Sequence, residues 1–331
     1  MTFFSSLALR SLLSALFCCL LFSTDGLHAG GLSPVPSATR QHLKETMITE
    51  ARSGLRGVDC IYVINLDSRP EKWARVNALL KSSGLTPNRF SAVIGKNLSA
   101  RIKTSLAGHY PVRLTDGEYG CLLSHVSVIK DAYKRGYHRI WICEDDIDVI
   151  EDLKQLPQLL NRLTRIDPKW DVFYTDLETK NSDGLRIPSV DGDFRPDFNY
   201  PDKAIYLEKK IVGKELMSIK QRFGMYSYFL SRSGMKKVLD YFTHVPVWSA
   251  IDIDIHYVPD LKEYSPTKDY VSIWYKSPIS DIVHSDRSEA VLDLATVADN
   301  DESSDIFKRR IFEERNKKWR GKDQIVEKRK R

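Results

Sequence analysis

Cys60-Ile61-Tyr62-Val63-Ile64-Asn65-Leu66, followed at once by Asp67-Ser68-Arg69-Pro70, is the stretch that decides the fold. A short, nearly continuous apolar run closed by turn-forming residues predicts a strand buried on both faces. Pro70 suits the first turn of a helix, where its missing N–H is no loss. Beyond it, Trp73, Val76, Leu79 and Leu80 recur at helical spacing, and Gly84 supplies the stop. A short strand is expected over residues 90–93. This strand–helix–strand opening predicts an α/β sheet with parallel pairs.

The same alternation runs on. Residues 115–134 read as a helix in which Thr115 and Glu118 fit a capping box, with Gly136 closing it. Arg139-Ile140-Trp141-Ile142-Cys143 is a second buried strand that ends abruptly at Glu144-Asp145-Asp146. A helix is expected over 153–166 and a strand over 170–175. Residues 178–202 collect Gly, Pro, Asp and Asn and read as a long loop, a common setting for a binding lid. A strand over 226–230, a helix over 231–241 and a short element over 251–258 follow. No internal repeat is visible.

The composition, 42% hydrophobic and 28% charged over 331 residues, is that of a globular chain. The formal net charge of +6 is concentrated at the end, where residues 308–331 hold twelve Lys or Arg against four Asp or Glu. The rest is slightly acidic, which argues against a nucleic-acid-binding body. Residues 1–29 read as a signal peptide or short anchor: Arg10 precedes the apolar run 11–22, too short to span a bilayer. That predicts an exported or membrane-associated protein, in a secretory lumen, a periplasm or at a membrane surface. Asn97-Leu98-Ser99 is a sequon compatible with a lumen. Residues 30–57 read as a linker or loosely docked arm, 58–300 as a single catalytic domain and 301–331 as a basic tail. Such a tail suits peripheral contact with an anionic membrane, or simply a solvated helix. Cys60, Cys121 and Cys143 lack metal-ligand spacing and read as buried thiols, with one disulfide as the alternative.

Two acidic clusters carry the chemistry. Ligands of open α/β sheets bind outside the carboxyl ends of the strands, where Glu144, Asp145 and Asp146 stand. Adjacent carboxylates repel unless a cation is bound, and Mg²⁺ and Mn²⁺ favour carboxylates with phosphate oxygens. In an extended stretch Glu144 and Asp146 would point one way and Asp145 the other; a solvated acidic turn is the plainer alternative. In Ile251-Asp252-Ile253-Asp254-Ile255-His256, an extended chain would set the Ile on one face and both acids on the other, raised toward a useful general base. An amphipathic edge strand or a helix N-terminus reads equally well. Glu118, Cys121 and His125 lie within helical reach of one another, His125 as a ligand or a satisfied core histidine. His284 offers a metal or phosphate ligand or a surface histidine, and Arg69 a phosphate contact or a surface arginine.

Together these segments resemble glycosyltransferase family 25, which includes lipopolysaccharide glycosyltransferases and collagen galactosyltransferases. The resemblance rests on Val63-Ile-Asn-Leu-Asp67 with Arg69 and Pro70, on Gly117-Glu118-Tyr-Gly120-Cys121-Leu-Leu-Ser124-His125, and on Ile142-Cys-Glu144-Asp145-Asp146. It implies a GT-A-like fold, a Rossmann-type mixed sheet flanked by helices. It further implies inverting transfer of a hexose, galactose above all, from a UDP-sugar to a hydroxyl of a glycan, lipid-linked saccharide or protein. Mn²⁺ or Mg²⁺ would be held by Glu144, Asp146 and His284. Asn65, Arg69, Glu118, Ser124, His125, Glu144 and Asp145 would meet the donor, and Asp252 or Asp254 would be the base. A metal-dependent phosphoesterase and a non-catalytic nucleotide-sugar or glycan binder are the rival readings.

Overall fold

The structure is a computed structural model that describes residues 38–46, 48, 52–180, 184, 186, 195–196 and 208–274. These belong to one unit, 36–331. The expected leader, the basic tail, His284 and most of the 178–202 loop lie outside the described residues. Strand β1 (Cys60–Asn65) is buried along its whole length, as its unbroken apolar run requires. Helix α1 (Pro70–Ser82) starts with its proline in the first turn and stops before Gly84, whose φ of +77° few other residues tolerate. Strand β2 (Pro87–Ser91) begins three residues earlier than the apolar pattern suggested and pairs parallel with β1.

A short helix α2 (Ala100–Ala107) precedes α3 (Asp116–Lys134), whose predicted capping box forms. Strand β3 (Arg139–Glu144) lies parallel to β1 on the side opposite β2, with Ile64 level with Glu144. The chain then turns at Asp145 and Asp146 into β4 (Ile147–Val149). A 3-10 turn leads into α4 (Leu156–Ile166), and β5 (Val172–Tyr174) follows.

The hairpin β6 (Lys209–Gly213) and β7 (Leu216–Ile219) was not foreseen; Glu215 turns it at a φ of +62°. Strand β8 (Ser227–Ser231) inserts antiparallel between β3 and β5 and runs into α5 (Arg232–His244). One helical turn, α6 (Ile251–Asp254), precedes β9 (Glu263–Pro266) and β10 (Val271–Ile273). The main sheet has eight strands in the order β2-β1-β3-β8-β5-β9-β7-β6, and β10 pairs separately with β4. This is the Rossmann-type mixed sheet flanked by helices that the sequence implied.

Alternation along the strands sorts the core into two layers. Tyr62, Ile64, Ile142, Tyr228 and Leu230 pack with Leu122 and Val126 of α3 and Val238 of α5. Ile61, Val63, Trp141, Cys143 and Phe229 pack with Val76 and Leu80 of α1 and Leu159 and Leu163 of α4. Residues of the expected linker or docked arm reach the core: Ala38 and Ile48 join the first layer, and Leu55 joins the second. No helix among the described residues is long and apolar enough to cross a membrane.

With β2 on one side of β1 and β3 on the other, the chain reverses its strand order between β1 and β3. A crevice opens at such a point, outside the carboxyl ends of the strands. Helix α3 can press against the loop after β2 only because two glycines meet there. A Cβ on Gly95 would lie 1.7 Å from the Asp116 carbonyl oxygen, and one on Gly120 would lie 2.6 Å from that of Val93. Because both obstacles are backbone atoms, Gly120→Ala should destabilise the fold by about 1–3 kcal/mol, the range for overpacking. Chemical denaturation measures this, and an unshifted midpoint would mean that the loop yields freely.

Candidate functional site

A pocket of about 330 Å³ occupies the crevice. Its walls are the ends of β1 and β3, the loop 92–96, the first turns of α3, and Lys72 of α1. Glu144 continues the alternation of Ile140 and Ile142 and therefore faces α3. The turn at Asp145 and Asp146 swings both carboxylates to the α1 side instead. Lys72 Nζ lies 3.8 Å from Asp145 Oδ1 and 3.9 Å from Asp146 Oδ2. The strand alternation expected at Asp145 and Asp146 is thus replaced by a turn, because the strand stops at Glu144, yet Asp146 stays near enough to Glu144 for that charge to raise its pKa.

Asn65 fixes the α1 side. Its Nδ2 donates to Asp145 Oδ2 at 2.6 Å and to the Arg69 carbonyl oxygen at 2.9 Å, while its Oδ1 accepts from Arg89 Nε at 2.7 Å. It lines the pocket but acts chiefly by orienting Asp145. Burial raises the pKa of Asp145, although the Asn65 hydrogen bond and Lys72 oppose that rise and Arg69 adds a smaller opposing charge. Burial and the neighbouring Glu144 charge push Asp146 up to about 7, against the pull of Lys72. Asp146 Oδ1 is buried and has no hydrogen-bond partner among the described residues.

On the α3 side, His125 is fully buried; its Nδ1 lies 2.9 Å from the Tyr228 hydroxyl and its Nε2 lies 3.2 Å from Glu144 Oε1. Cys121 Sγ approaches the same Glu144 oxygen at 3.8 Å. Cys60, Cys121 and Cys143 are free thiols. Ser124 lines the pocket, yet its hydroxyl accepts the Val93 N–H at 2.8 Å and donates to the Gly120 carbonyl at 2.6 Å, tying loop to helix. Glu118, expected at the donor, instead caps α3, its Oε2 accepting from the backbone N and hydroxyl of Thr115. It is not part of the pocket wall.

The second acidic segment is helical rather than extended, so its two carboxylates part company. Asp252 is half-buried, and its Oδ2 accepts the Gly224 N–H at 2.9 Å. Burial raises its pKa while that N–H opposes the rise, the Glu144 charge adds to it, and the charge of Asp252 in turn acts on Cys121. Asp254 is fully buried and accepts from Arg195 at 2.6 Å, the Tyr241 hydroxyl at 3.0 Å and the Trp248 N–H at 3.1 Å. It is spent on structure and is not placed to act as a base. Lys72 is the pocket residue that the sequence reading passed over. Its signal was the stripe Lys72, Val76, Leu80 at i, i+4, i+8, which is the buried face of α1.

The residues present fit a hard divalent cation on one observation: a buried carboxylate oxygen of Asp146 has no partner, beside a second carboxylate on Glu144. His284 lies outside the described residues.

A Rossmann-like sheet with a carboxylate-lined pocket at its strand-order reversal defines the class. Within that class, the chain belongs to glycosyltransferase family 25: the model of that family, described as an LPS biosynthesis protein, matches residues 58–255. The chain is 26% identical over 227 residues to a glycosyltransferase 25 family member of Aedes aegypti, covering 65% of this chain and 33% of that one. It is 29% identical over 157 residues to human procollagen galactosyltransferase 2, covering 44% and 25%. Over 138 residues it is 29% identical to the mouse inactive glycosyltransferase 25 family member 3, covering 38% and 23%. The chain therefore spans between about a quarter and a third of the length of these relatives.

Two outcomes follow from the geometry. Asp254→Ala strands the buried Arg195 guanidinium and should cost about 3–5 kcal/mol of stability. Asp252→Asn, on a half-buried side chain, should leave the melting temperature nearly unchanged. Equal losses in the two variants would refute this division. A carboxyl that holds its proton more tightly folded than unfolded contributes stability at low pH and loses it as pH rises toward its folded pKa, here about 7. In metal-free protein, Asp146→Asn should therefore raise the melting temperature relative to wild type more at pH 7.5 than at pH 5. A difference that does not change with pH would count against a raised Asp146.

Proposed function

We propose that the chain transfers a hexose, galactose in the first instance, from a UDP-sugar to an acceptor hydroxyl with inversion, using a hard divalent cation, Mn²⁺ or Mg²⁺. The observation that carries this reading is the buried, unpartnered Asp146 carboxylate oxygen at the carboxyl end of β3, inside a nucleotide-sized crevice. Family membership and the similarity to procollagen galactosyltransferase 2 support transfer of a sugar, and of galactose in particular. Glu144 and Asp146 would hold the cation, which when bound supplies positive charge for the diphosphate of the donor.

The chain's own residues account for the remaining work. Lys72, balanced between Asp145 and Asp146, brings a second positive charge to the diphosphate side of the pocket. Asn65 and the α1 turn hold Asp145 in place. Gly95 and Gly120 let the 92–96 loop close against α3 and so shape that wall of the pocket. Asp252, outside the lining of the crevice but close enough for its charge to act on Cys121, is with its raised pKa and its Oδ2 anchored on the Gly224 N–H the residue we assign to take the proton from the acceptor hydroxyl. An acceptor on a protein or a glycan fits this scheme equally. We further propose that residues 1–29 direct the chain to an export route or a membrane, and that the basic tail favours an anionic surface.

Thermal melting with UDP, with and without Mn²⁺, tests the donor site. UDP plus Mn²⁺ should raise the melting temperature of wild type, UDP alone should raise it less, and Asp146→Ala should abolish the Mn²⁺-dependent part. Asp252→Asn should keep the UDP–Mn²⁺ shift yet lower sugar transfer by about 10²–10⁴-fold, the usual contribution of a general base. Absence of any shift in wild type would remove the donor reading. Release of free hexose at the same rate with and without acceptor would indicate a hydrolase.

A further inference from the structure

We propose that Cys121 Sγ, His125 Nε2 and Glu144 Oε1 form a site for a soft divalent cation of the zinc class at the floor of the pocket, which shares only Glu144 with the hard cation of the donor reading. The three ligand atoms lie within 4.8 Å of one another. Nε2 is 3.2 Å and Sγ is 3.8 Å from the shared Glu144 oxygen. Around zinc, with Zn–S near 2.3 Å and Zn–N or Zn–O near 2.0–2.2 Å, the edges of a tetrahedron are roughly 3.3–3.6 Å long. The two spacings to Glu144 match those edges to within a small adjustment of the Cys121 side chain, and the third, between Nε2 and Sγ, is no longer than 4.8 Å.

The sequence supplies the arrangement economically. Cys121 and His125 are four apart on α3 and so lie on the same face, one turn from each other. Glu144 reaches them because β3 ends with that residue directed at α3. The second shell is also in place. Histidines that ligate a metal donate their other ring N–H to an oxygen, and the Tyr228 hydroxyl stands 2.9 Å from Nδ1, its ring stacked near the imidazole at 5.7 Å. With Nδ1–H given to Tyr228, Nε2 presents its lone pair toward Glu144, where a cation would sit between two ligands that otherwise oppose each other.

The chemistry of the set selects the cation. Thiolate and imidazole favour zinc, whereas carboxylates alone favour Mg²⁺ and Mn²⁺. All three residues line the pocket, so a fourth coordination position faces it. Binding transfers the Cys121 proton to solvent and forms the Sγ–metal bond. Burial and the Glu144 charge hold that thiol well above its ordinary pKa, so the ion must be strong enough to displace the proton. Because Glu144 also belongs to the proposed Mn²⁺ set, filling the soft site withdraws one carboxylate from the donor side.

The test needs no nucleotide, so it succeeds or fails independently of the donor reading. Metal-stripped full-length protein is titrated with Co²⁺, a spectroscopic substitute for Zn²⁺, and the thiolate-to-cobalt charge-transfer absorption is followed. One cobalt per chain should produce the band, and Zn²⁺ should bleach it. Cys121→Ser should lose the band while keeping the metal-free circular dichroism spectrum, with Cys121→Ala as a second variant should serine disturb the helix. Tyr228→Phe should retain the band with cobalt affinity reduced by about 10–100-fold, the usual effect of removing a partner of a ligating histidine. No band in wild type, or a band that survives in both Cys121 variants, overturns the proposal.

Discussion

Three adjacent carboxylates at the end of a buried strand ought to spread into water, and the site exists because two of them are prevented from doing so. Strand β3 is enclosed by β1 and β8, so its last residue is delivered at the edge of the core rather than at the surface. The next two residues turn toward α1, where Asn65 grips Asp145 and Lys72 sits between Asp145 and Asp146. Burial of like charges costs free energy that a lone lysine at nearly 4 Å only partly offsets. The raised Asp146 and its unpartnered oxygen are what remains of that cost. A positively charged ligand at that oxygen would recover part of it.

The opposite wall depends on backbone proximity rather than charge. Gly95 and Gly120 let the 92–96 loop lie on α3, and Ser124 joins them by bonding to backbone atoms on both sides. The capping box at Thr115 and Glu118 fixes where α3 starts and therefore which of its faces meets β3. From that start, Cys121, Ser124 and His125 fall on the side facing the pocket. One helix origin thus positions every α3 side chain in the pocket wall, which is why Glu118 matters to the site from outside that wall.

Much of this could be read from residue order. The apolar runs of β1 and β3, the proline opening α1, the capping box and the acids at a strand end are local signals, and the structure reproduces them. What escaped the reading was set at a distance. The hairpin of β6 and β7 carries charged residues such as Lys209 and Lys210 on an exposed edge, so it lacks a distinct apolar period. Asp145 and Asp146 obey a turn instead of strand alternation, because pairing of β3 ends at Glu144. Lys72 hid on an apolar stripe, where a charge is ordinarily discounted.

The segment Ile251-Asp252-Ile253-Asp254 shows most directly why sequence stops short of a site. Alternation over four residues fits a strand, yet one helical turn also buries Ile251 and Ile255 in the core while leaving Ile253 only partly covered. Once helical, residues two apart point in widely different directions, so two acids that look equivalent receive different neighbours. Arg195, 59 positions earlier in the chain, claims Asp254 together with Tyr241. Gly224 claims Asp252 through a backbone N–H and leaves its second oxygen uncommitted to that bond. A carboxylate saturated by a guanidinium and a phenol is a poor proton acceptor, whereas one held by backbone N–H groups alone carries no such charge partner. What each aspartate is free to do is therefore decided by the partner that folding brings to it, a fact of the tertiary structure that no pattern within the six residues contains.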